Sequence, residues 1–202
     1  ALNALMGATT GTITATVNGN SAILGALQAT GTGGNTQTLT IVVNDATTVD
    51  NGAAIAAATG AGTVNFSAGG VSDVYAKIIT STALTANMQA VDAKDADVNV
   101  AITDTVVVDA NAVTALNTLR DDTNGTTGQV TATINGTAAV LATLDAASAS
   151  DSALTITVND AATAAEGAAI VAATDSATVD FSAAGVSDSF GNLTTTTAVS
   201  TA

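Results

Sequence analysis

The 202-residue chain contains much of itself twice, and that duplication limits its possible folds more than any other feature. The segment Ile-Thr-Ala-Thr-Val-Asn-Gly at 13–19 returns at 130–136 as Val-Thr-Ala-Thr-Ile-Asn-Gly. Residues 44–73 return at 159–188, a shift of 115, with about 20 of 30 positions identical. At the start Leu2-Asn3-Ala4-Leu5 matches Leu116-Asn117-Thr118-Leu119, and the last residue, Ala202, aligns with Asn87. The expected organisation is a first repeat unit over 1–87, truncated at its start, single-copy acidic linking coils over 88–128, and a second unit over 129–202, truncated at its end. A chain cut from a longer array, or built to continue one, would have this text.

A period of about 25 residues lies inside the longer one. Segments in which Thr alternates with aliphatic residues start near Thr12, Thr38, Thr63, Val98, Gln129, Ala153 and Ala177. Such alternation marks half-buried strands, with Ile13, Ala15 and Val17, or Leu154, Ile156 and Val158, facing inward. Between strands, Ile23, Leu24 and Leu27 keep helical spacing, as do Val113, Leu116 and Leu119 and then Val140, Leu141 and Leu144. Thr48 and Thr163 stand where helix N-caps belong. One strand and one short helix cannot bury their own apolar faces, whereas stacked copies can. The expected fold is an α/β repeat solenoid, a parallel β-sheet with short helices on one side and about 25 residues per coil. The competing fold is a pair of tandem immunoglobulin-like β-sandwiches, but the Ala-rich helical stretches around Ile55 and Ile170 have no place in one. A polar residue follows each strand. Stacked Asn18, Asn44, Asn135 and Asn159 are expected to form a structural Asn ladder satisfying backbone groups that leave the sheet.

Composition then removes chemistries. Cys, His, Pro and Trp are absent, so there is no imidazole base, thiol nucleophile, soft metal site or disulfide. Lys77, Lys94 and Arg120 are the only basic side chains in a chain of net charge −14, which argues against nucleic acid as a partner. Paired carboxylates could serve glycoside hydrolysis, but a sugar cleft without Trp and with one Tyr lacks its aromatic platform. No enzyme is expected. No run of 18 apolar residues marks a membrane span, and no secretory leader pattern opens the chain. An opening of Ala1-Leu2-Asn3 is expected of a chain that is processed, excised or exported.

The text at 12–22 and 129–139, the two copies of Leu-Thr-Ile-Val/Thr-Val-Asn-Asp at 39–45 and 154–160, and 104–125 together resemble a known kind of sequence. They are similar to the Thr/Ala/Asp-rich repeats of long secreted surface proteins of bacteria, cyanobacteria especially, among S-layer, adhesin and haemolysin-type proteins. The resemblance covers most of the chain and implies an extracellular or cell-surface structural role without catalytic residues. The calcium-binding nonapeptide of haemolysin-type exports is missing, so their metal sites do not carry over.

Three features remain as candidate sites. Asp121, Asp122 and Asn124 lie in an acidic loop that could offer oxygens to Ca2+, the one cofactor the pattern suggests, although the loop does not match an EF-hand. Thr12, Thr14 and Thr16 beside Thr38 and Thr40, and Thr131 and Thr133 beside Thr155 and Thr157, would form a Thr array of the kind that ice-binding solenoids resemble. Neither end shows a polar cap: 1–6 is apolar and 193–202 is Thr/Ala/Val text. The expected function is that of a structural repeat protein of a bacterial cell surface or extracellular filament or lattice. It would associate with itself end to end or along edges, or with neighbouring repeats of a longer chain. The alternatives are a calcium-dependent adhesin or stalk segment, and, third, an ice-binding solenoid.

Overall fold

Where Thr alternates with Val, Ile, Leu and Ala, β-branched residues favour extended backbone and one face turns to the core. Where Ala and Leu cluster, helices form. The computed structural model describes residues 1–66, 68–122, 128–147, 152–174, 178–195 and 198–199. The chain begins with α1 (Leu2–Ala8), β1 (Thr12–Gly19), α2 (Ser21–Leu24), β2 (Thr36–Val43) and α3 (Val49–Thr59). Short pieces follow: β3 (Val64–Asn65), β4 (Val71–Asp73), α4 (Tyr75–Ile78), β5 (Ile79–Thr80), β6 (Ala83–Leu84) and α5 (Ala86–Asp92). Alternation resumes with β7 (Val100–Val107), α6 (Ala110–Asp122), β8 (Val130–Gly136), α7 (Ala138–Leu141), β9 (Ser152–Val158) and α8 (Ala164–Ala172). Then come β10 (Val179–Asp180), α9 (Phe190–Leu193), β11 (Thr194–Thr195) and β12 (Ala198–Val199). The expected strand start at Ala177 lies outside the described residues.

The expected solenoid does not form. The molecule is a mixed α/β fold whose parallel strands divide into a three-stranded sheet, β1-β2-β3, and a five-stranded sheet, β10-β9-β8-β7-β4, with antiparallel hairpins β5–β6 and β11–β12 beside them. The break falls between β3, which pairs with β2, and β4, which pairs with β7. There the Phe66 N–H donates to Asp95 Oδ2 at 2.6 Å, and the chain runs so close to its neighbour that a Cβ on Gly69 would lie 2.3 Å from Ala46 N. Steps between paired strands are also uneven, from 22 residues at Val130–Ser152 to 30 at Val100–Val130. The parallel pairing of the long strands equally excludes tandem sandwiches, which are antiparallel.

The core is thin and aliphatic. Leu39, Ile41 and Val43 of β2, and Leu154, Ile156 and Val158 of β9, are fully buried, as are Ile55 of α3 and Ile170 of α8. Phe66 is the largest fully buried side chain. Helices pack side by side over the strands, and at Gly52 of α3 a Cβ would fall 2.8 Å from Val91 of α5. Thr48 caps α3 by accepting from Asn51 N, and Thr163 forms a capping box with Glu166 on α8.

One contact recurs from module to module. In five places an Asp accepts a hydrogen bond from the first N–H of a helix in a preceding strand–helix module. Asp45 Oδ1 receives Ser21 N at 2.7 Å, Asp73 Oδ2 receives Val49 N at 3.1 Å, and Asp104 Oδ1 receives Tyr75 N at 2.6 Å. In the second copy Asp160 Oδ1 receives Ala138 N at 2.6 Å and Asp188 Oδ2 receives Ala164 N at 3.1 Å. A carboxylate there meets both an unpaired helical donor and the positive end of the helix dipole. Asp104 reaches its partner through an irregularity in β7: Ala101 sits beside Thr131, but the next pair is Thr105 with Thr133.

The three basic side chains also serve helix ends. Lys94 Nζ donates to the carbonyls of Gly60 (2.5 Å) and Gly62 (3.3 Å) just past α3. Arg120, 3% exposed, donates to the Ala173 carbonyl at 3.2 Å, past α8, and to that of Asp145 at 2.8 Å. Lys77 pairs on the surface with Asp50, in the first turn of α3, at 2.8 Å.

Replacing Asp45 or Asp160 by Ala leaves a helix N-terminus uncapped. Each change should lower stability by about 1 kcal/mol, a fall in Tm of about 2–4 °C for a chain of this size. Thermal unfolding followed by circular dichroism checks it, and Asn at either position should restore part of the loss.

Asp188 gives a pH test. Its carboxylate also accepts from Asn192 Nδ2 and Ser189 N, both at 2.7 Å. The Asn192 bond first, then those from Ser189 and Ala164, hold its pKa below the ordinary carboxylate value. The folded pKa is the lower one, so this stabilisation is complete above the unfolded value of about 3.9. It disappears as the pH falls through the folded value. Plots of Tm against pH for the parent and for Asp188→Asn should therefore converge below about pH 4.

Candidate interaction surface

The two copies reproduce each other down to single side chains. Asn3 of α1 donates from Nδ2 to Ala26 O at 2.8 Å and accepts from Gln28 N at 3.0 Å. Asn117 of α6 does the same with Thr143 O at 3.2 Å and Asp145 N at 3.1 Å. Each Asn clamps the loop that follows a short helix, α2 or α7. Asn35 adds a second anchor on α1 through the Met6 carbonyl. These matches place α1 where the second half of α6 lies in the other copy.

Around these clamps the copies differ in cover. β1 is the edge strand of its sheet, whereas its counterpart β8 lies between β7 and β9. Ile23 of α2 is 71% exposed and Leu5 of α1 is 52% exposed, while Leu119, the counterpart of Leu5, is fully buried. Beside the open strand is a groove of about 440 Å3 lined by Leu2, Val17, Gly19, Ile23, Leu24 and Leu27. An unpaired strand edge next to exposed aliphatic side chains is suited to receiving another strand and an apolar face. A smaller concavity of about 320 Å3 is lined by Tyr75, Ser81, Val107, Asp109 and Asn111. Burial, and then the charge of Asp109, push the Tyr75 hydroxyl pKa up.

The Asn ladder is corrected by the strand register. Asn18 pairs with Val42 and Asn135 with Thr157, while Asn44 and Asn159 lie one residue beyond the pairs Gly19–Val43 and Gly136–Val158. The four side chains therefore do not stack, and the recurring Asp supplies the acceptor at the turn. The text held a signal for it: Asp45 and Asp160, like Asp73 and Asp188, occupy matching positions of the duplicated segment. Of the three metal candidates only one has a described side chain. Asp121 is exposed at the end of α6, the side chain of Asp122 is not described, and Asn124 lies outside the described residues. Among the described residues no group of three or more acidic side chains gathers to hold a metal ion. Thr12, Thr14 and Thr16 pair with Thr36, Thr38 and Thr40. In the other sheet Thr133 pairs with Thr105 and Thr155, but Thr131 faces Ala153 and Thr157 faces Asn135. Among the described residues no helix is long and apolar enough to cross a membrane.

The clamps generate a paired prediction. Asn3→Ala should free α1 at the open end, raising amide exchange over residues 1–8 with little change in global Tm. Asn117→Ala, in the interior, should lower global stability by about 1–2 kcal/mol. Hydrogen exchange read by mass spectrometry together with urea unfolding separates the two effects.

No family model matches this chain, and neither any curated protein nor any solved structure matches it.

Proposed function

We propose that the chain is a non-enzymatic structural repeat protein of a bacterial cell surface or an extracellular filament or lattice, associating through its end. The observation that carries this reading is the open side of β1. A strand edge, the exposed Ile23 and Leu5, and an apolar groove lie together there, and the equivalent surface of the other copy is covered. The sequence resemblance to secreted bacterial surface repeats supports the location, and the absence of His and Cys supports a role without catalysis. Sedimentation velocity across a wide concentration range, with negative-stain imaging, tests the association. Reversible growth into filaments or sheets is the expected result. A monodisperse monomer at high concentration, with and without calcium, would overturn it. Calcium is included because the carboxylates are densest over residues 92–122, and saturable micromolar binding would instead favour an adhesin.

A further inference from the structure

The internal duplicate shows what belongs in the groove. In the second copy the strand β8 is covered by β7, and Val108 just beyond β7 reaches over the turn between β8 and α7. Val108 donates its N–H to Asn135 O at 2.8 Å, extending the pairing of β7 with β8. Its side chain lies over Gly136, where a Cβ would meet Val108 Cγ2 at 2.8 Å and Leu141 Cγ at 3.4 Å. Ala112 and Val113, at the start of the α6 that follows, are buried as well. The counterpart of Gly136 is Gly19, where a Cβ would meet only Leu24, the counterpart of Leu141, at 3.6 Å. The seat that Val108 fills in one copy is therefore open in the other, next to the Asn18 carbonyl on the edge of β1. Meanwhile α1 already stands in for residues 116–122, with the same Asn clamp.

We infer that the groove at β1 and α2 is the docking seat for a strand-and-helix segment of the kind found at residues 96–115, presented by a further repeat unit. The segment would add a parallel strand to β1 and seat a valine over Gly19. This chain's own β7 is already held between β4 and β8, so the occupant is another repeat unit rather than the same segment folded back. The inference rests on reading this end as an association surface, and it names the partner's chemistry.

The probe is a synthetic peptide of residues 96–115, titrated into the intact chain by calorimetry. Saturable one-to-one binding is expected. A peptide carrying Val108→Asp should bind about ten- to a hundredfold more weakly, the range that loss of one buried valine implies. In the chain, Gly19→Ala places a methyl in the seat at an ordinary contact distance from Leu24, so the fold is retained while peptide affinity falls. Ile23→Asp, at an exposed position, should do the same. Absence of binding to a chain shown to be folded by circular dichroism, or equal binding by the Val108→Asp peptide, overturns the inference. If the chain assembles and the peptide neither binds nor blocks assembly, second copies abut directly. The inference then falls while the structural role stands. If the peptide binds and the chain remains monomeric, the seat stands and self-association falls.

Discussion

The fold depends on a carboxylate placed against the first amide of the helix in the preceding module. Short helices are weak structures: α2 and α7 each span only four residues, far below the length at which a helix holds alone in water. Their dipoles are small, and their first N–H groups have no partner within the helix. Asp45 and Asp160 answer that need from the next module, so each helix start is completed only when the following strand has been laid down. Local structure and module stacking are thereby joined in one hydrogen bond.

That arrangement explains how uneven modules coexist. The bond fixes one point of contact between successive modules and leaves the intervening loops free to vary, at an entropic cost that grows slowly with length. Asp104 therefore serves the same purpose as Asp45, although the chain between it and α4 contains the hairpin β5–β6 and all of α5. The extra residues in β7 that break its register with β8 are what bring Asp104 to Tyr75. Because the stacking rule is local, it does not require one unbroken sheet, and the molecule divides its strands between two.

Strands and helices were legible in the text because their periods are set by side-chain direction alone. Alternating Thr and Ile marks β1 and β8, and Thr-x-x-Glu at 163–166 marks the start of α8. The continuity of the sheet was not legible. It fails between β3 and β4, where the Gly69 backbone runs close to Ala46, and nothing periodic announces such a contact. The Asn ladder misreads for a related reason. Asn18 and Asn44 match as letters after similar strands, but backbone pairing sets Asn18 beside Val42. The open side of β1 was legible only as an apolar start to the chain. Its shape appears when Gly19 and Gly136 are compared in place.

Electrostatics narrows how the proposed surface would select a partner. Lys94 and Arg120 are committed to carbonyls beyond helix ends and Lys77 to Asp50, so the basic side chains of a −14 chain already serve its own fold. A partner with the same acidic composition is repelled at long range, over a Debye length of about 8–10 Å at moderate salt. Attraction at the open end must then come from short-range terms, the hydrogen bonds of a strand edge and the fit of small aliphatic side chains. Both fail when register slips by one residue, because every side chain then turns to the opposite face. In the association proposed above, net repulsion at a distance combined with register-sensitive attraction at contact would suppress unspecific clustering. Ordered stacking would then have the least to overcome, and raising the ionic strength should strengthen it rather than weaken it.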